Sequence, residues 1–139
     1  MEYLGIVLAI VGFVVLVLLW IRVLNWICIR MSDWPNMVAR YPSPPLDQSR
    51  EVFKWQTGAV GKMRMRRGFM IDLLDEGLKI TPRFAKTLPL FVPWSRVVSV
   101  ESIPLAVIVT LDSTGKTCFY LPRAASDFIR SRVGPEVVR

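Results

Sequence analysis

Hydrophobic positions fall into three successive patterns along this chain. The first is unbroken: residues 3–21 read YLGIVLAIVGFVVLVLLWI, with no charged side chain. At about 1.5 Å per residue this run makes a helix of roughly 28 Å, close to the thickness of a bilayer's hydrocarbon core. Tyr3 stands at one end and Trp20 and Trp26 at the other, where amphipathic rings favour the headgroup level, and Arg22 is placed to snorkel outward. Residues 3–24 are therefore read as an uncleaved membrane anchor with Trp20, Arg22 and Trp26 at its interface. A secretory signal fits poorly, because it needs a basic start, a shorter apolar region and a small-residue cleavage site. This chain opens Met1-Glu2-Tyr3 and continues through Arg22, Asn25 and Trp26.

The second pattern is an interruption. The helix is expected to continue through Arg30, after which Ser32 or Asp33 caps a new short helix with Pro35 in its first turn. Tyr41-Pro42-Ser43-Pro44-Pro45 then excludes regular helix or central strand, so residues 42–50 read as a semi-rigid spacer. From Glu51 the period becomes two. Phe53 and Trp55 alternate with Lys54 and Gln56, and Met63 and Met65 with Lys62, Arg64 and Arg66. Asp75-Glu76-Gly77 joins two apolar runs as a hairpin, and Asp112-Ser113-Thr114-Gly115 joins two more, which predicts an antiparallel sheet folded as a barrel or sandwich. Over residues 123–133 the period returns to helical: Ala125, Phe128, Ile129 and Val133 share one face, and Gly134-Pro135 ends the segment. The expected organisation is an anchor and juxtamembrane helix (1–31), a short helix and Pro-rich spacer (32–50), and a β domain closed by a C-terminal helix (51–139).

Charge adds an orientation. Residues 22–67 carry nine basic side chains against three acidic ones, whereas residues 1–21 carry only Glu2. Positive flanks stay in the cytoplasm, so the N-terminus is expected outside and the β domain in the cytosol. The last 72 residues hold nine basic and seven acidic side chains, which concentrates the basicity next to the anchor. Within it, Lys62, Arg64 and Arg66 would project from one face of a strand while Met63, Met65 and Arg67 take the other. Near an anionic leaflet each such cation contributes about 1 kcal/mol of attraction. The plain reading of the run is a solvated strand face that satisfies the positive-inside bias, with lipid headgroups and then an acidic protein patch as the alternatives. Nucleic acid is not expected, since a tethered domain with so little further charge has a poor footprint for it.

Composition argues against catalysis. The chain has no histidine, so no Ser-His-Asp or Cys-His arrangement and no HExxH site exists. Cys28 and Cys118 are 90 residues apart and form neither a CxxC pair nor a thiolate zinc site, which weakly indicates a reducing compartment. Gly58-Ala59-Val60-Gly61-Lys62 lacks the spacing and the hydroxyl of a phosphate loop, and its glycines read as a turn. Asp72, Asp75 and Glu76 read as solvated hairpin residues. No cofactor, metal or small-molecule substrate is expected.

The strand meander with its Gly-Leu-x-Ile-Thr hairpin at residues 77–81, then Val92-Pro93-Trp94-x-x-Val97, the Val-rich hairpin and the closing helix with Phe128, resembles bacterial PH-like and GRAM-like domains over roughly residues 51–133. The segment Trp34-x-x-Met37-Val38-Ala39, with Tyr41-Pro42, Phe53-x-x-Gln56 and Pro93-Trp94, is also similar to small membrane-anchored bacterial proteins. The resemblance implies a binding module for lipid headgroups, peptides or other domains, and no catalytic activity. In phosphoinositide-binding members an early hairpin carries a Lys-x-n-Arg-x-Arg pattern that Lys62, Arg64 and Arg66 fit loosely.

Gly5, Ala9 and Gly12 recur at spacings of four and three, a stripe on which another transmembrane helix packs closely. Together these features lead to the expectation of a non-enzymatic, single-span accessory or scaffolding subunit of a bacterial inner-membrane complex, whether respiratory, photosynthetic or secretory. Other transmembrane subunits and membrane lipids would be its partners. The alternative is a tethered sensor or adaptor that binds anionic headgroups or an acidic peptide through Lys62, Arg64, Arg66 and Arg67. Trp94 serves either as a partner contact or as a core residue closing the barrel. A membrane-impermeant thiol reagent is expected to leave Cys118 unlabelled in intact cells and to label it after permeabilisation; labelling of intact cells would reverse the topology.

Overall fold

The computed structural model describes residues 2–42, 44 and 50–139. A helix, α1 (Glu2–Ser32), carries the apolar run and extends well past it. Its 31 residues span about 46 Å, and it is long and apolar enough to cross a membrane. A short helix, α2 (Trp34–Ala39), follows after Asp33, whose left-handed backbone (φ 54°) turns the chain between the two. In that conformation the Asp33 carboxylate caps no backbone N–H and instead accepts from Asn36 Nδ2 at 2.6 Å. The spacer read over residues 42–50 lies mostly outside the described residues.

Seven strands follow: β1 (Glu51–Val60), β2 (Met63–Leu73), β3 (Gly77–Pro82), β4 (Leu90–Pro93), β5 (Ser99–Ile103), β6 (Ala106–Thr110) and β7 (Cys118–Pro122). They form one antiparallel sheet in the order β4-β3-β2-β1-β7-β6-β5. β4 and β5 lie at opposite ends of that order yet are joined by the single 3-10 turn Trp94–Arg96, so the sheet has to curl to bring its edges near one another. Both predicted hairpins are present. β2 and β3 meet around Asp75 and Glu76, with Leu74 N–H donating to Gly77 O at 2.9 Å, and β6 and β7 meet around residues 112–115, where Leu111 N–H donates to Thr117 O at 2.9 Å. At the β5 edge, Val138 forms a parallel bridge with Val100 and Arg139 N–H donates to Val100 O, so the C-terminal segment occupies part of an otherwise open edge.

The glycine pair was expected to make a turn, and only Gly61 (φ 57°) does so. Gly58 lies inside β1, where an added Cβ would stand 2.5 Å from Phe119 Cδ1. The position needs a glycine because a core ring lies against its backbone.

The concave side of the sheet holds Phe69, Ile71, Leu78, Ile80, Val109 and Phe119 among its fully buried side chains. Helix α3 (Ser126–Arg132) closes it with the predicted face: Ala125 and Ile129 are buried, while Phe128 and Val133 pack against the core. The core also takes in residues from the other side of the spacer. Trp34 is completely buried, 6.1 Å from the Phe69 ring and 5.9 Å edge-on from Phe84, and its Nε1–H donates to Leu88 O at 2.7 Å. Cys28 and Ile29 of α1 and Met37 and Val38 of α2 pack against the same core. A second attachment lies beyond α2, where Arg96 stacks 4.7 Å from the Tyr41 ring and donates to Arg40 O at 2.6 Å.

Removing an indole of this size from water is worth roughly 4–6 kcal/mol by area. Trp34→Ala is therefore expected to destabilise the β domain by about 3–5 kcal/mol, read as a lowered urea midpoint for the full chain in detergent. An unchanged midpoint would mean that the helix and sheet are independent.

Candidate functional site

The strand that carries the basic run pairs with β1 out of regular register. Phe53 faces Ile71, Gln56 faces Phe69 and Gly58 faces Met65, so β1 gains a residue near Trp55 and β2 gains two near Arg67. Both bulged residues adopt left-handed backbone, Trp55 at φ 57° and Arg67 at φ 52°. For an indole this conformation is rare and is retained against a local cost of about 1–3 kcal/mol. A bulge re-aims a side chain that strict alternation would send elsewhere.

The bulge at Arg67 changes how the end of the basic run is presented. Lys62, Arg64 and Arg66 are exposed, and Met63 and Met65 between them pack against the core, in agreement with a two-residue period. Arg64 lies 5.9 Å from the Tyr120 ring. Arg67 departs from the alternation and lines a groove of about 580 Å³ together with Lys54, Trp55, Gln56 and Tyr120. Arg83, from the β3–β4 connection, stacks 3.9 Å above Trp55, close enough for a cation–π interaction with the indole. Lys54, Trp55 and Arg83 were not singled out by the sequence pattern. Trp55 was expected to alternate with Lys54 and Gln56, and no local signal placed residue 83 beside residue 55.

Trp94 is only 8% exposed. Its Nε1–H is shared between Leu74 O at 3.2 Å and Asp75 O at 3.0 Å, and its ring lies 6.2 Å from Phe128. The indole closes the curled sheet against α3, so of its two expected roles the structure assigns the core one. Gly5, Ala9 and Gly12 lie on the exposed part of α1, where a Cβ at either glycine would meet no atom within 4 Å. Trp20, Arg22 and Trp26 are exposed on the same helix, and Arg30 stacks 4.7 Å from the Trp26 ring.

Among the described residues no group of Cys, Asp and Glu side chains is arranged to hold a metal ion. Burial pushes the Cys118 thiol up, which leaves little thiolate at neutral pH and slows its alkylation. Asp75, expected to be merely solvated, ties three parts of the fold together: Oδ2 accepts from Arg50 Nη2 at 2.7 Å and Oδ1 from Arg132 Nη2 at 2.8 Å. The hydrogen bond from Arg50 is the main cause, with the Arg50 and Arg132 charges behind it, that holds the Asp75 carboxyl below its ordinary range.

A depressed carboxylate adds stability that is present above the ordinary Asp pKa of about 3.9 and is lost as pH falls through the lowered value. Asp75→Asn is therefore expected to lower the urea midpoint at neutral pH and to approach the parent chain as pH falls from about 5 to 2; a difference that does not change with pH would remove the ion pairs as its cause. No family model, curated protein or solved structure matches this chain.

Proposed function

We propose that this chain is a non-enzymatic, single-span accessory or scaffolding subunit of a larger membrane assembly, with its β domain at the cytosolic face of a bacterial inner membrane. The observation that carries this reading is the built-in junction between anchor and domain. The last turns of α1 pack on the domain through Cys28 and Ile29, and Trp34 belongs to its core. A domain so joined stands at a set angle and height to its helix, which suits a brace between membrane-embedded and cytosolic parts of an assembly. A leash to a freely diffusing module would need no such junction.

Three further features support the proposal. The antiparallel meander closed by a C-terminal helix agrees with a PH-like binding module. The charge asymmetry across the apolar run favours a cytosolic domain. The stripe of Gly5, Ala9 and Gly12 is uncovered, and small residues in that spacing let a second helix approach closely.

A second reading, a tethered adaptor for anionic headgroups or an acidic peptide, is favoured by Lys62, Arg64 and Arg66. These three are exposed on one face and take part in no ion pair among the described residues. Gentle extraction followed by native mass spectrometry separates the two. Under the subunit reading the chain emerges with defined protein partners, and Gly12→Ile releases them while leaving membrane insertion intact. A bare monomer with retained anionic lipid, or a complex indifferent to Gly12→Ile, would overturn it.

A further inference from the structure

A run of cation-lined depressions begins at α1 itself. Ile21, Asn25 and Ile29 recur at a spacing of four on one stripe of that helix and face the β3–β4 connection, residues 83–88, across a depression of about 470 Å³. Lys86 of this connection also lines a smaller hollow with Trp55 and Met70. Trp55 in turn forms a wall of the 580 Å³ groove that holds Lys54 and Arg67. These three depressions adjoin through Lys86 and Trp55, so a continuous band runs from the helix across the outside of the sheet. Arg83, Lys86, Lys54 and Arg67 line it, and no carboxylate does among the described residues. None of the four belongs to an ion pair there.

The band's height is set by the helix it starts from. Ile21 is the last residue of the charge-free run and Asn25 lies one turn beyond it, so residues 83–88 meet α1 where the hydrocarbon core gives way to headgroups. Two apolar side chains flank the cations: Leu88 is exposed on the connection, and Leu105, at the groove's far end, is 89% exposed. Trp55, forced outward by its bulge and covered by Arg83, adds an indole, a ring that favours the bilayer interface.

We propose that this band is the surface on which the β domain rests against the phosphate-bearing headgroups of an anionic leaflet. The inference depends on α1 being a membrane span, as in the function proposed above, and it assigns lipid contact to the Trp55 band instead of Lys62 at the hairpin end of β2. Cations unmatched by carboxylates, flanked by apolar side chains and continuous with the end of the span, are the complement of a phospholipid surface. Side chains that hold the domain down on the leaflet would also fix the angle that the Trp34 junction sets.

The test is lysine acylation footprinting of the full chain in nanodiscs of phosphatidylcholine alone and of phosphatidylcholine with phosphatidylglycerol. Lys54 and Lys86 are expected to react about fivefold more slowly on the anionic discs, with Lys62 and Lys116 unchanged. The protection should vanish near 1 M salt, where the Debye length falls to about 3 Å, and Arg83→Glu combined with Arg67→Glu should abolish it at low salt. Equal reactivity on both discs, or protection of Lys62 in place of Lys54 and Lys86, would overturn the band while leaving the anchor reading intact. A chain that fails to enter either disc would overturn the anchor, and the band with it. Protection on phosphatidylcholine discs by added glycerol phosphate would instead make this a site for a soluble phosphate and overturn the lipid assignment.

Discussion

Trp34 packs between Phe69 and Phe84 and donates its indole N–H to Leu88 O, and the placement of the helix relative to the sheet depends on that contact. The donor and the acceptor are 54 residues apart, so the interaction closes a long loop and is formed only when the sheet is. Burying the ring without its hydrogen bond would leave an unsatisfied donor in an apolar core, at a cost of about 1–3 kcal/mol. The Leu88 carbonyl removes that cost and fixes the rotation of α2 at the same time. With α2 fixed, the left-handed turn at Asp33 determines where α1 leaves the domain, and the stripe through Ile21, Asn25 and Ile29 comes to face residues 83–88.

A second constraint acts on the sheet surface. The matched bulges in β1 and β2 interrupt a pattern that otherwise alternates regularly, and they do so where the chain carries both an indole and a run of cations. One bulge lies at Trp55, which Arg83 covers; the other lies at Arg67, which lines one groove with Lys54 and with Tyr120, the ring beside Arg64.

Much of this architecture could be read without coordinates. A charge-free run of bilayer length, two turns with Asp and Gly between apolar strands, and a C-terminal face of Ala125, Phe128, Ile129 and Val133 each depend on side-chain spacing within a few residues, and each appears in the fold. The exposure of Lys62, Arg64 and Arg66 followed from the same two-residue period. Where the period was broken by bulges, as at Trp55 and Arg67, the pattern gave no warning, since a register shift depends on the partner strand as well as on the strand itself. Gly58 was misplaced for a related reason: its turn-like neighbourhood conceals a strand position whose missing Cβ makes room for Phe119, 61 residues later.

The amino-acid sequence alone determined the presence of a long apolar helix, the β character of the domain and the concentration of positive charge just after that helix, because each is a property of local composition and period. Only the tertiary structure decided that the segment ahead of the spacer belongs to the core, that Trp94 closes the sheet, that Asp75 joins Arg50 to Arg132, and that Arg83 and Lys86 stand next to Trp55. These are pairings between residues far apart in the chain. Their free energy comes from surfaces that meet only after the sheet has curled, so no window along the sequence contains both partners.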